Sequence, residues 1–288
     1  MRTLLSCGDL FVIISVNSRN VTDRRGLPCV PTKDVQTLDQ PTNGKLIVVE
    51  GLDGSGKGTQ TDLLCRRAEI NGFRVRHISF PNYSDSSAAL VRSYLSGEFG
   101  SKPDDVNAYA ASTFYAVDRY AAYKKHWGAD YHAGTHIIAD RYTTSNAVYQ
   151  MGKLPEDEWD NYLEWLTKSE YILMELPEPD LVIYLDMDPD VSRQLLSKRY
   201  EGDESRRDIH EADLEFQTRC RRSALYAAAR LNWRVVRCDD GSLPRSVTDI
   251  GNEVWGIVQD CLEDGGEDDF CLAGDILMSY MGALRTRL

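Results

Sequence analysis

No stretch of this chain is apolar for long enough to cross a bilayer. The nearest approach is residues 11–16, far short of the ~20 apolar residues a spanning helix needs. That run also lacks the extended apolar core and small-residue cleavage pattern of a secretory signal, so no membrane partner is expected. Positive charge is scarce: 33 Lys and Arg against 45 Asp and Glu leave a net charge of -12. Such a balance argues against a binder of nucleic-acid polymers, whose affinity rests on cations set against phosphates. A single nucleotide needs only a local cluster and stays possible. The seven cysteines are odd in number and show no C-x-x-C spacing, which reads as buried or free thiols in a reducing compartment, by default the cytoplasm. Internal repeats and low-complexity blocks are missing as well.

What is present is a globular composition, 42% hydrophobic and 27% charged over 288 residues, enough for one large α/β domain with extensions. From residue 45 strand and helix patterns alternate, which favours a parallel sheet covered on both faces. Strands are predicted at 45–50, 73–79, 135–140, 180–186 and 233–238. Helices are predicted at 57–71, 86–96, 105–127, 143–150, 156–173, 188–199, 209–231 and 246–261. Trp159, Tyr162, Leu163 and Leu166 recur at helical spacing and read as core or subunit interface. Residues 1–43 form a mostly irregular extension in which 10–16 is a candidate stray strand. Residues 44–262 form the domain, and 263–288 an appendage behind an acidic joint.

The chain is organised around residues 44–62. A buried β-branched strand, residues 46–49, runs into a turn with Gly51, Gly54 and Gly56, then Lys57, then a helical pattern. Glycines let successive N–H groups of Gly54, Ser55, Gly56, Lys57, Gly58 and Thr59 point inward. The helix N-terminus adds its positive end, and the lysine supplies a point charge. This makes a cradle for a polyphosphate. The pattern G-x-x-x-x-G-K-[ST] holds from Gly51 to Lys57 and then breaks, because Gly58 stands where a hydroxyl is expected and Thr59 follows one residue later.

A second cluster follows the strand at 135–140, which ends in Asp140 and Arg141, then Tyr142, Thr143, Thr144, Ser145, Asn146 and, one turn on, Tyr149. In open α/β sheets ligands lie outside the carboxyl ends of the strands, so this cluster is expected to share a crevice with the phosphate loop. Upstream, Tyr115 and Arg119 are four apart and fall on one helix face. A planar guanidinium suits a phosphate oxygen pair or a base edge, and a nearby ring can stack on a nucleobase.

Taken together, the run from Glu50 to Lys57, Phe80 with Pro81, Asp118 with Arg119, and the run from Asp140 to Tyr149 resemble thymidylate kinase, a family of P-loop nucleoside-monophosphate kinases. The resemblance covers roughly residues 44–262. It implies a three-layer α/β/α P-loop fold with a five-stranded parallel sheet and a small lid, and phosphorylation of dTMP to dTDP with ATP and Mg²⁺. It also implies a homodimer built through packed helices. By the same resemblance Asp53 holds the 3′-hydroxyl of the acceptor sugar. Arg119 and Arg141 grip the acceptor and its phosphate, Tyr115 stacks on thymine with Phe114 as its rival, and Asn146 reads the base edge. Tyr149 lies under the sugar where a 2′-hydroxyl would clash, and Phe80 and Pro81 line the acceptor pocket. Lys57, Asp53, Arg141 and a lid arginine, Arg206, form the catalytic set. The lid corresponds to residues 200–208.

Two departures from the family pattern matter. Gly58 replaces the usual Ser or Thr, leaving Thr59 or water to face Mg²⁺, and the order Gly-Lys-Gly-Thr is what adenylate kinases show. The segment after Pro81 lacks an arginine that many relatives carry, so Arg92 is a reserve cation. The competing readings are a kinase for another nucleoside monophosphate or a deoxynucleoside, and a nucleotide-binding regulator. A GTPase-like switch would want D-x-x-G and N-K-x-D motifs, and neither follows residues 137–140.

Overall fold

The computed structural model describes residues 4–7, 10–13, 43–199, 210 and 213–263. It divides into a first unit ending at Pro41 and a second beginning at Thr42. In the first, β1 (Leu4–Cys7) and β2 (Leu10–Ile13) pair as an antiparallel hairpin, so part of the stretch expected as a lone strand has a partner.

The second unit is built on β3 (Leu46–Gly51), β4 (Val75–Ser79), β5 (His136–Asp140), β6 (Leu181–Asp186) and β7 (Arg234–Arg237), all parallel, in the order β4-β5-β3-β6-β7. All five predicted strands are present, within two residues of their expected ends. Alternation along the strands splits the core in two. Leu46, Val48, Ile137, Ala139, Val182 and Tyr184 pack on one face with Trp159, Tyr162, Leu163, Leu166 and Phe216. Ile47, Val49, Ile138, Ile183, Leu185 and Val236 pack on the other with Leu64, Val254 and Val258. Both faces of β3 are fully buried, which is why its sequence is a continuous apolar run rather than an alternating one.

The helices are α1 (Lys57–Ile70), α2 (Ala89–Leu95), α3 (Ala108–Ala122), α4 (Gly128–His132), α5 (Trp159–Thr167), α6 (Pro189–Arg199), α7 (Leu214–Arg230) and α8 (Val247–Glu263). Several boundaries differ from expectation for local reasons. Asn107 caps α3 through Ala110 N (2.9 Å), so the helix opens after the turn Pro103–Asp105 rather than within it. Asp213 caps α7 through Phe216 N (2.9 Å), which sets its start at 214. Wider turns of π type occupy Tyr123–Trp127, Asn146–Gln150 and Lys168–Leu173, where single α-helices were expected to run through.

The order places β3 at the switch point, with one half of the sheet reached first and the other reached after β5. The register sets Val49 beside Asp140 and Asp140 beside Ser79, so the strands deliver their ligand-facing ends to one edge.

Candidate active site

A cavity of about 640 Å³ opens at that edge, a volume within the usual range for small-molecule sites. Its lining joins the loop residues Asp53, Gly54, Gly56, Lys57, Gly58 and Thr59 to Phe80, Pro81, Tyr115, Arg119, Asp140, Arg141, Asn146 and Tyr149. Gly51 and Ser55 of the expected loop set are not in the lining; Ser55 is buried beneath it.

The loop has the shape its glycines permit. Gly54 has φ +79, and a Cβ there would come within 2.8 Å of Ser192 O, so a side chain is barred by both backbone and space. Gly56 caps α1 with φ 88. Lys57 is buried and its Nζ donates to Leu52 O (2.8 Å), with Asp53 Oδ1 at 4.0 Å. Burial and the nearby Arg141 charge hold its pKa below the ordinary lysine value, while Asp53 works the other way.

Asp53 sits between two cations. It is ion-paired with Arg141, and its other oxygen accepts the Tyr149 hydroxyl (3.0 Å). Burial pushes its pKa up, but Arg141 and Lys57 outweigh that and hold it at about 2. Arg141, at the left-handed φ of 68, is turned back over the Tyr149 ring, 5.0 Å from guanidinium carbon to centroid. Burial opposes its charge, yet Tyr149 and Asp53 keep its pKa well above the usual value.

Beneath the loop, Glu50 is buried and accepts from Thr144 Oγ1 (2.8 Å), Ser145 Oγ (2.6 Å) and the Tyr142 amide (3.3 Å). One carboxylate therefore ties the end of β3 to the segment after β5. The apolar run before it makes Glu50 stand out in the sequence, but only the register shows what it holds.

Arg119 also faces the cavity, but with a partner the sequence did not suggest. Glu170, buried in the turn Lys168–Leu173, takes Arg119 Nε (2.7 Å) on one oxygen and Nη2 on the other. Burial disfavours the guanidinium's charge, and Glu170 more than compensates, raising the pKa. The same carboxylate accepts Thr143 Oγ1 (3.0 Å) and Asn146 Nδ2 (3.1 Å). Of the two candidate stacking rings, Tyr115 lines the cavity, whereas Phe114 packs on Phe99 and Tyr94. Arg92 Nη1 is committed to Tyr83 O (2.8 Å) and Asp85 O (3.0 Å) and is not in the lining, so the reserve cation is spent on the loop after Pro81. Asp118, buried, holds that loop through Asn82 N (2.8 Å) and Ser87 Oγ (2.6 Å).

Among the lining residues that sequence reasoning missed, two are polar and buried, Gln150 and His210. Gln150, the residue after Tyr149, lines the cavity and is buried with its Oε1 lacking a hydrogen-bond partner. His210 stacks on Tyr149 with ring centroids 5.4 Å apart and meets Tyr94 Oη through Nε2 (2.8 Å). Burial and the Lys153 charge lower its pKa to about 3. Nothing in its local sequence marks it, because its partners are 61 and 116 positions away. The lid residues 200–208, with Arg206, lie outside the described residues.

For a divalent cation, Asp140 Oδ1 is buried without a hydrogen-bond partner at the mouth of the loop, and a Cβ on Gly58 would lie 3.7 Å from Asp140 Oδ2. Among the described residues no set of three His, Cys, Asp or Glu could hold a metal unaided. A site of this kind suits a hydrated ion shared with phosphate oxygens.

The thymidylate kinase family profile matches residues 49–244. Thymidylate kinase of Mycobacterium tuberculosis is 32% identical over 201 residues, covering 67% of this chain and 92% of its own length. That of Nostoc punctiforme is 30% identical over 212 residues, 73% of this chain and 95% of its own. A solved thymidylate kinase structure from Candida albicans superposes with a TM-score of 0.56 at 22% identity, covering 76% of this chain and 92% of that one, and so shares the fold. With the profile spanning residues 49–244, and with the glycine loop, Lys57, Arg119 and Arg141 lining one cavity at the edge of such a sheet, this chain belongs to the thymidylate kinase family.

Proposed function

We propose that the cleft transfers the γ-phosphoryl group of ATP to a phosphate oxygen of dTMP, giving ADP and dTDP. The observation that carries this is that Lys57, Asp53, Arg141, Tyr115 and Asn146, drawn from three separate segments of the chain, line a single cavity. The attacking oxygen is ionised at neutral pH, so positioning and charge neutralisation account for the chemistry and no general base is needed. Loop amides and Lys57 hold the donor phosphates. Arg141 serves the acceptor phosphate, and Asp53 with Tyr149 takes the sugar. Arg119, its charge balanced by Glu170, belongs to the base side with Tyr115 and Asn146. Phe80 and Pro81 close the acceptor pocket.

We assign Mg²⁺ to Asp140, with Thr59 or water where Gly58 offers no hydroxyl; when bound, it neutralises charge on the donor phosphates. Arg206 is assigned to the lid on the resemblance alone. We further propose a homodimer, supported by exposed Val117 and Tyr120 on α3 and exposed Ile172 and Leu173. A cytoplasmic setting is supported by free thiols at Cys65, Cys220 and Cys238.

The test is ADP formation from ATP with a panel of acceptors. dTMP should give the highest kcat/KM, and preference for AMP or CMP would overturn the assignment.

A further inference from the structure

Glu170 has no place in the scheme above beyond neutralising Arg119, yet it makes more contacts than that task needs. It is 1% exposed and accepts from four groups: Arg119 Nε, Arg119 Nη2, Thr143 Oγ1 and Asn146 Nδ2. A buried carboxylate has only acceptors, so every neighbour must turn a donor toward it. For Asn146 this fixes the side-chain amide. Nδ2 is directed at Glu170 Oε1 (3.1 Å), with Ser112 O at 3.4 Å, which leaves Oδ1 as the atom the amide can offer the cavity it lines. The reverse rotamer would set Oδ1 against a carboxylate oxygen, an unpaired buried contact between two acceptors.

We propose that Glu170 is a positioning residue for acceptor specificity: it locks the Asn146 amide with its oxygen toward the cavity, so that the site takes a pyrimidine carrying an N3–H and rejects one whose N3 is a bare lone pair. This rests on Asn146 reading the base edge. Thymine presents a donor at N3; cytosine presents an acceptor there, which Oδ1 repels. Specificity built on a hydrogen bond discriminates strongly because the wrong partner leaves a buried polar group unpaired. Glu170 touches no substrate and acts only through Asn146 and Arg119.

Replacing the carboxylate by a carboxamide tests this. In Glu170→Gln the new Nε2 can donate to Asn146 Oδ1 once Arg119 Nη2, which shares that position, turns away or is removed; the amide can then reverse and present Nδ2 to the base. Steady-state kinetics with dTMP and dCMP should then show the dCMP:dTMP ratio of kcat/KM rising at least about tenfold, mainly through KM. Glu170→Asp keeps an acceptor and should leave that ratio within about threefold of the parent, whatever its total activity. Should Glu170→Gln fold poorly because Arg119 loses its counter-charge, the double change Arg119→Met with Glu170→Gln removes the stranded cation and should show the same shift relative to Arg119→Met alone. A purely structural Glu170 would lower both acceptors together; an unchanged ratio in the folded variants overturns the proposal. If instead the parent enzyme shows no preference for dTMP, it is the underlying base-reading assignment that fails.

Discussion

Tyr149 carries its hydroxyl 3.0 Å from Asp53 Oδ2, bridging 96 positions of sequence and joining the glycine-rich loop to the segment after β5. Tyr149→Phe keeps the ring under Arg141 and removes only the donor. A hydrogen bond to a charged acceptor is worth about 1.5–3 kcal/mol. We expect KM for dTMP to rise about tenfold or more, with kcat changed less; unchanged kinetics would remove Tyr149 from the acceptor site.

Asp53 makes stability depend on acid. Its pKa falls from 3.8 to about 2 on folding, so the stabilisation is fully present above pH ~4 and is lost as pH drops through the folded value. The shift corresponds to about 2 kcal/mol. Urea unfolding of Asp53→Asn should show a deficit of at least that size at pH 7, narrowing below pH ~4. A deficit that persists unchanged into acid would mean Asp53 stabilises the chain by some other route.

His210 adds a second acid sensitivity of the same sign, over a higher pH range. With a folded pKa of about 3 against an ordinary 6.5, both states are neutral above the ordinary value. Below it the unfolded chain takes the proton first, so stability drains away as pH falls from 6.5 toward 3. His210→Phe retains a ring on Tyr149 and should flatten this limb by about 2–3 kcal/mol at pH 4.5. Parallel pH profiles for parent and variant would count against a buried neutral imidazole.

Lys57 follows the loop glycine Gly56 directly and lines the cavity, and losing one preorganised charge of this type costs about 3 kcal/mol or more in the transition state. Lys57→Met should lower kcat more than about a hundredfold while the thermal transition stays close to that of the parent. Near-normal turnover in a folded Lys57→Met protein would remove phosphoryl transfer from this loop.

Gly58 tests the metal assignment. Because a Cβ there meets only Asp140 Oδ2, at 3.7 Å, Gly58→Ser should fold normally and gain about 0.5 kcal/mol from helix propensity. Its hydroxyl would add an oxygen beside Asp140. We expect a lower Mg²⁺ concentration for half-maximal activity, read by titrating Mg²⁺ at fixed ATP; an unchanged requirement would place the cation elsewhere.

The sequence by itself determined the sheet, the loop and most of the lining. A fully buried strand must be apolar on both faces, a polyphosphate cradle needs glycines before its lysine, and both requirements act over a few neighbouring residues. Tyr115, Asn146, Tyr149 and Arg141 were legible for the same reason, standing at helical or strand-end spacing in short runs. Tertiary structure alone decided the partners of those groups. Glu170, in the turn Lys168–Leu173, lies 51 positions from Arg119 and 24 from Asn146, and in one dimension it looks like its neighbours Glu164, Glu175 and Glu178. Only the packing of that turn against α3 and the segment after β5 takes this one out of water, and burial is what obliges a carboxylate to find donors. His210 and Glu50 follow the same logic: charge and ring chemistry are written locally, but which group is desolvated beside which is settled only when distant segments meet.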